Sequence, residues 1–276
     1  MRAVPLPVVP RMLSVVPATA DAVEPALAAA LDGGAPVAVV PSGPPAVVVA
    51  ARAALRPDEP VEDGADLLVV TSGSTGAVRA VLLPATALRA SAADAAERLG
   101  GEGSWLLALP LSAVAGLQVV GRSLLAGRRP VVLGDGEPLA AAAARMPPDD
   151  RRYLSLVPTQ LRRWLAAEPD ALRTFDAVLV GGAAADPHLL DRARAEDVRV
   201  VTTYGMTETA GGCVYDGVPL AGVGVRVRDG IELAGPVLAL GYRGDPAGTA
   251  EAFADGWFRT RDAGALDAAG RLTVHG

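Results

Sequence analysis

The sequence predicts an α/β fold: mostly parallel sheets with flanking helices, plus a smaller antiparallel β region near the C-terminus. Three observations predict it. Through residue 202, short β-branched runs alternate with Ala/Leu/Arg helical stretches, the pattern of repeated βαβ units. From Val214 onward the runs shorten and are separated by Gly and Asp, which reads as antiparallel strands with tight turns. The chain has 276 residues, 51% of them apolar, enough for one large domain or two fused subdomains.

The elements follow in order. Residues 22–31 read as a helix with Asp21 as its N-cap. Residues 37–40 and 46–50 read as strand or turn segments among prolines. The apolar run Leu67-Leu68-Val69-Val70 reads as a buried strand. Residues 85–99 read as a helix. Residues 105–109 and 130–133 read as buried strands with a helix over 115–126 between them, and 134–150 as a surface connection. A strand over 153–157 precedes a helix opened by Pro158-Thr159 and running to Ala167. A strand over 177–180 ends in Gly181-Gly182. The next helix, 187–195, has Asp186 as N-cap and proline at its first position, and a strand over 198–202 follows. The β-rich part holds pieces at 224–228, 231–233, 237–242 and 271–274, with Asp229-Gly230 as a hairpin turn. The expected division is an α/β core over 1–213 and a smaller β-rich subdomain over 214–276.

Composition excludes several function classes. The net charge of −6 gives no basic field for nucleic acid. No apolar run reaches the ~18 residues a membrane span needs. Pro5, Pro7, Pro10, Arg11 and Pro17 interrupt the apolar N-terminal stretch that a signal peptide requires. A single cysteine, Cys213, excludes an internal disulfide and suits a reducing, cytoplasmic location. His188 and His275 leave little for histidine-based catalysis or a His-rich metal site. All 25 basic residues are arginine, so any step that needs a lysine must find it elsewhere or use arginine.

The chemistry-bearing residues lie in loops after strands, where ligands of parallel α/β sheets sit. The hexapeptide Thr71-Ser72-Gly73-Ser74-Thr75-Gly76 combines glycines, which let a phosphate approach, with hydroxyl and N–H donors. It lacks the lysine-plus-hydroxyl ending of a Walker A loop, and such a cluster alone is more often a turn than a nucleotide site. The loops 181–186 and 203–209 would open onto the same crevice. Glu208, between Thr207 and Thr209, suits a Mg²⁺ ion that also touches phosphate oxygens; the pair also reads as a helix cap. Asp262 has a carboxylate able to accept two ribose hydroxyls, or is a solvated turn aspartate. Gly181-Gly182-Ala183 offers flat backbone to a planar base, or is a strand-to-helix turn. Arg79, the cation nearest the hydroxyl loop, reads as a phosphate contact or a solvated side chain. Cys213, Trp105 and Trp164 read as packing residues.

The segments 71–76, 204–208 and 256–262, in this order, resemble the core motifs of the acyl-adenylate-forming superfamily of acyl-CoA synthetases, adenylation domains and luciferases. The resemblance covers nearly the whole chain. Within the superfamily the chain is most similar to the o-succinylbenzoate–CoA ligases of menaquinone biosynthesis. That likeness rests on Ala115-Gly116-Leu117-Gln118-Val119, on Ser155 to Gln160, and on residues 203–217. It implies the large N-terminal domain of that fold and a two-step ligase using ATP, Mg²⁺ and coenzyme A. Residues 71–76 would cradle the β- and γ-phosphates, and Thr207 would touch the α-phosphate. Glu208 would hold Mg²⁺, Gly181, Gly182, Ala183 and Tyr204 would enclose adenine, and Asp262 would hold the ribose. An aryl carboxylic acid would lie between Ser112, Gly116 and Gln118 on one side and Gly211, Gly212 and Val214 on the other. Three positions depart from the family pattern: Val78-Arg79 stands for Pro-Lys, Ser112-Ala113 for a histidine pair, and Arg261 for a glycine. The resemblance also implies a C-terminal lid domain, with a lysine for adenylation, that this sequence is expected to lack. Slow adenylation by the chain alone is therefore expected, with a homodimer or a C-terminal domain in trans as candidate partners. The alternatives are a degenerate nucleotide-, acyl- or partner-binding protein of the same fold and an aryl-acid adenylating domain of secondary metabolism.

Overall fold

The computed structural model of the chain describes residues 10–72 and 78–275. The N-terminal part runs β1 (Ser14–Pro17), α1 (Ala20–Leu31), β2 (Val37–Val40), α2 (Pro45–Leu55), β3 (Leu67–Ser72) and β4 (Val78–Leu83). The middle runs α3 (Ala85–Leu99), β5 (Ser104–Leu107), α4 (Val114–Leu125), β6 (Val131–Val132), α5 (Leu139–Ala144) and β7 (Arg152–Leu156). Then come α6 (Pro158–Ala167), α7 (Pro169–Arg173), β8 (Ala177–Val180), α8 (Pro187–Ala195) and β9 (Val200–Met206). A 3₁₀ turn (Thr207–Thr209) leads to β10 (Gly211–Tyr215), β11 (Val218–Pro219), β12 (Gly224–Val227), β13 (Ile231–Ala234) and β14 (Gly241–Tyr242). The chain closes with α9 (Pro246–Ala252), β15 (Phe253–Ala254), β16 (Trp257–Arg259), β17 (Gly264–Leu266) and β18 (Leu272–Val274).

Two large sheets result. The first has the order β1-β2-β3-β4-β14, parallel through β3 and antiparallel beyond it. The second has the order β11-β10-β9-β8-β7-β5-β6, parallel from β6 to β9 and antiparallel across β10 and β11. Helices α1, α3 and α4 lie between them. Val23, Leu27, Leu88, Leu117 and Val120 of these helices share one buried cluster with Val69 and Val81 of the first sheet and Tyr153 and Tyr215 of the second. The strands carry period-two burial: Leu68 and Leu82, one residue from Val69 and Val81, turn to the opposite face and pack with Leu55 of α2. A second cluster packs α5, α6, α7 and α8 on the outer face of the second sheet through Leu139, Leu161, Trp164, Leu172 and Leu189. The smaller antiparallel sheet, β12-β13-β16-β15, lies near the C-terminus.

Four local expectations are corrected. Residues 46–50 lie in α2, because Pro45 opens a helix at its first turn and the run continues into Ala/Arg helix formers. Val47 and Val49 stay 47% and 66% exposed, and only Ala51 and Leu55 are buried. Thr19 rather than Asp21 is the N-cap of α1; Asp21 sits in the first turn, where its charge complements the helix N-terminus. Residues 134–150 contain α5, which buries Leu139, Ala142 and Ala143. Its N-terminus is held by Glu168, whose carboxylate accepts from the N–H groups of Leu139 (3.0 Å) and Ala140 (2.9 Å). That cap comes from 28 residues away, out of reach of a local reading. The strand expected to end at Thr202 continues to Met206, so Tyr204 lies on β9 rather than in a loop. The expected subdomain boundary at 213/214 falls inside β10.

Candidate active site

The strand β9 and the turn after it organise the site. Tyr204, on β9, donates its hydroxyl proton to Asp262 Oδ2 at 2.8 Å, across 58 residues of chain. Asp262 lies just past β16, and its own backbone is anchored: its carbonyl accepts from Ile231 N–H at 2.9 Å and its N–H donates to Thr260 Oγ1 at 3.1 Å. Burial, and then the Asp262 carboxylate, hold the Tyr204 phenol well above its ordinary range, so it remains a donor. The turn 181–183 lies beside the same strand. A Cβ on Gly181 would stand 2.2 Å from Thr203 Oγ1.

Glu208 sits in the 3₁₀ turn and is held at two points. Its carbonyl accepts from Ala239 N–H at 2.8 Å, and its Oε1 accepts from the Tyr242 hydroxyl at 3.0 Å. Tyr242 is on β14, which pairs with β4, and the Arg79 guanidinium of β4 lies 4.9 Å from the Tyr242 ring centroid. Arg79 stands opposite Thr71 in the β3–β4 register, and Arg79, Tyr242 and Glu208 meet around the Tyr242 ring. Burial, followed by the charge of Glu208, raises the Tyr242 phenol beyond its usual range. Thr71 and the backbone of Ser72 belong to β3; Gly73, Ser74, Thr75 and Gly76 lie outside the described residues.

The third group lies where α4 meets β10. Gln118, 2% exposed, donates from Nε2 to the Ala210 carbonyl, while its Oε1 has no partner among the described residues. The Gln118 stem runs past Gly211, whose Cβ would stand 3.3 Å from Gln118 Cγ. Gly116 brings the start of α4 onto the preceding loop: a Cβ there would meet the Pro110 carbonyl oxygen at 2.2 Å. Ser112 is half-buried at the head of that helix, and Gly212 lies against Thr203. Val214 is buried among Cys213, Ile231, Leu233 and Leu272, away from solvent. Thr209, fully buried, ties the turn to β10 by accepting from Met206 N–H at 2.9 Å and donating to the Gly211 carbonyl at 2.8 Å.

The structure thus groups Tyr204 with Asp262, Glu208 with Arg79, and Gln118 with Gly211. Tyr242 and Thr209 were not legible as site residues. Tyr242 follows an apolar run as an ordinary strand tyrosine, and its partner stands 34 residues earlier. No group of three or more His, Cys, Asp or Glu side chains forms a metal cage among the described residues. Among them, too, no helix is long and apolar enough to cross a membrane. Trp105 and Trp164 are core residues, each 4% exposed. Cys213 is fully buried, and burial pushes its thiol up to about 12. A native-state thiol titration with a chromogenic disulfide at pH 8 is expected to find it unreactive until denaturant is added; prompt native labelling would contradict this packing.

The sequence family described as AMP-binding enzyme matches residues 10–234. The chain belongs to this family. This AMP-binding chain is 49% identical, over 235 residues, to a probable 2-succinylbenzoate–CoA ligase of Mycobacterium tuberculosis; the match covers 81% of this chain and 61% of the relative. The chain therefore spans about three fifths of that relative's length. Its fold resembles the o-succinylbenzoate coenzyme A synthetase of Bacillus subtilis bound to a product analogue, with a TM-score of 0.79 at 22% identity, over 96% of this chain and 68% of that one. The same B. subtilis enzyme in complex with ATP and magnesium ion superposes with a TM-score of 0.68 at 26% identity, over 78% of this chain and 52% of that one. The fold is accordingly the N-terminal domain of the acyl-adenylate-forming architecture.

Proposed function

We propose that this chain is the nucleotide- and acid-binding part of an ATP-dependent acid–thiol ligase of the o-succinylbenzoate–CoA ligase type. The observation that carries the reading is the convergence of Tyr204 and Asp262, with Glu208 one turn further along the same segment. An aromatic face, a ribose-competent carboxylate and a metal-competent carboxylate are what an adenosine triphosphate presents partners for. The 49% identity to a probable 2-succinylbenzoate–CoA ligase supports the choice of acid.

In this reading Tyr204 covers one face of adenine, and the backbone of Gly181, Gly182 and Ala183 lies along its edge. Asp262 accepts the ribose hydroxyls. Residues 71–76 receive the terminal phosphates, Thr207 the α-phosphate, and Arg79 adds positive charge on that side. The aryl acid lies between Ser112, Gly116 and Gln118 on one side and Gly211 and Gly212 on the other, whereas Val214, expected to line it, packs in the core behind β10. Its carboxylate oxygen attacks the α-phosphorus, the bond to pyrophosphate breaks, and an acyl-adenylate forms. A coenzyme A thiolate then adds to the acyl carbonyl and AMP leaves. The residues named act chiefly by orienting the reactants and by placing charge, the main resources of phosphoryl-oxygen displacement.

Glu208 fits a Mg²⁺ ion. Such ions are typically held by one or two carboxylates together with substrate phosphates rather than by an all-protein cage. Glu208 offers a single carboxylate, held by Tyr242, whose ring also carries Arg79. Bound there with the nucleotide, the ion would neutralise phosphate charge.

Thermal-shift titration tests the reading. Ligand bound only by the native state stabilises it by about 2.7 kcal/mol at a hundredfold excess over Kd. The midpoint is expected to rise with ATP·Mg²⁺ and to rise further with o-succinylbenzoate. No rise with either ligand would contradict the proposal and favour a protein that keeps the fold without the nucleotide site. A further rise with another aryl acid, but none with o-succinylbenzoate, would move the substrate to that acid.

A further inference from the structure

Glu208 has three rotatable side-chain bonds, and a metal-binding carboxylate works only if its oxygens already face the ion. The structure shows what restrains it. The Tyr242 hydroxyl bonds Oε1 at 3.0 Å, so one carboxylate oxygen is held and the rotation of the side chain is restricted. Tyr242 is itself fixed on several sides and is 7% exposed. Its N–H donates to Thr249 Oγ1 at 2.9 Å, its ring meets Phe253 edge-on at 5.8 Å, and Arg79 lies 4.9 Å from its ring centroid. A phenol packed for stability alone would be satisfied by any acceptor, yet this one is spent on the turn carboxylate. The Arg79 cation, meanwhile, sits on the ring that serves that carboxylate. Glu208 and Arg79 are thus coupled through one aromatic residue contributed by a two-residue strand, β14.

We propose that Tyr242 is the positioning residue for Glu208, holding its carboxylate ready for the divalent cation that accompanies a nucleoside triphosphate, with Arg79 clamping the Tyr242 ring. The inference rests on the ATP·Mg²⁺ reading given above. It assigns Arg79 a role that a lysine fills poorly. A planar guanidinium stacks on an aromatic face, whereas an ammonium is a compact, strongly hydrated charge.

Tyr242→Phe removes the hydroxyl and keeps the ring. Calorimetric titration of ATP into the full chain, once in EDTA and once in excess Mg²⁺, separates metal from nucleotide. In Tyr242→Phe the affinity in EDTA is expected to stay within about twofold of the parent, while the gain conferred by Mg²⁺ falls about tenfold, the usual cost of losing a partner of a metal-binding carboxylate. Arg79→Met, which leaves the hydroxyl in place, is expected to lower the Mg²⁺ gain about threefold, with Arg79→Lys recovering only part of it. Paramagnetic resonance of Mn²⁺ with ATP gives a readout independent of turnover, and the Tyr242→Phe protein is expected to leave more free Mn²⁺ signal. An unchanged Mg²⁺ gain in Tyr242→Phe, or an equal loss in EDTA, overturns the proposal; the second result marks a purely structural tyrosine. Glu208→Gln keeps the two readings apart. If it abolishes the Mg²⁺ gain while Tyr242→Phe keeps it, the ATP·Mg²⁺ reading stands and the positioning role falls. If the parent shows no Mg²⁺ gain, both fall.

Discussion

Replacing Asp262 by alanine is expected to reduce ATP·Mg²⁺ affinity at least about a hundredfold while leaving the fold in place. The loop that carries Asp262 is fixed by its main chain, through the Ile231 N–H and the Thr260 hydroxyl, so removing the side chain leaves its path intact. What disappears is a carboxylate that the structure shows engaged by Tyr204 at 2.8 Å and that has room on its oxygens for more donors. Hydrogen bonds to a charged acceptor contribute about 1.5–3 kcal/mol each, so losing two ribose hydroxyl contacts accounts for a factor of about a hundred or more. The stability cost is one partly buried bond from Tyr204 to that charged acceptor, about 1.5–3 kcal/mol, which moves the melting midpoint by about 3–12 °C. Calorimetry with ATP·Mg²⁺ and a melt of the unliganded protein measure the two effects separately. Tyr204→Phe is the companion variant: it frees Asp262 from its protein partner but keeps the aromatic face, and its expected loss is less than about tenfold. An Asp262→Ala protein that binds ATP within a factor of about three of the parent would show that the ribose is held elsewhere.

The contrast between these two residues shows what was legible in the sequence. Asp262 and Tyr204 each stand in a short motif singled out by the family resemblance, since residue types alone left Asp262 open between a ribose contact and a turn aspartate, and the strands of the parallel sheets announce themselves as β-branched runs. Helices α3, α6 and α8 match their expected spans because alanine-rich composition, an N-terminal proline or an aspartate cap marks them locally. Some failures are local, as at α1 and α2, and the others involve information from a distance. The valines of α2 look like a strand until Pro45 and the surface they leave exposed are taken together. The helix α5 depends on Glu168, and the orientation of Glu208 depends on Tyr242. Neither partner carries a signature of its role, because a hydrogen bond between positions 28 or 34 residues apart is created by topology and leaves no periodicity behind. Likewise, Arg79 reads as a free cation beside a hydroxyl loop; only the addition of β14 to the edge of β4 reveals the aromatic face it occupies.

Gly205→Ala is expected to be among the most damaging single methyl additions at the described glycines. Gly205 lies between Tyr204 and Met206, with a φ of +155°, directly opposite Gly212 in the β9–β10 register. A Cβ there would stand 2.2 Å from the Gly211 carbonyl oxygen, 2.8 Å from Gly212 Cα and 2.9 Å from Cys213 N. All three are backbone atoms of β10, so no side chain can rotate away, and the strand itself must move. That strand carries the Gly211 carbonyl held by Thr209 and follows the Ala210 carbonyl held by Gln118, so the displacement reaches the acid side and the Glu208 turn together. Overpacking of this kind costs about 3 kcal/mol or more, a fall of about 6–12 °C in the melting midpoint. The rise produced by ATP·Mg²⁺ is expected to vanish with it. Gly121→Ala supplies the control. Gly121 is in the middle of α4, and its added Cβ would only touch Leu27 Cδ2 at 4.0 Å, so alanine there is expected to stabilise the protein by about 0.5–1 kcal/mol. If Gly205→Ala instead melted with the parent and still responded to ATP·Mg²⁺, β10 would have yielded without cost. The close approach of two glycine-rich strands would then not be what fixes Tyr204, Glu208 and Gly211 relative to one another, and the rigidity of the site would have to come from the helix side, through Gln118 and the start of α4.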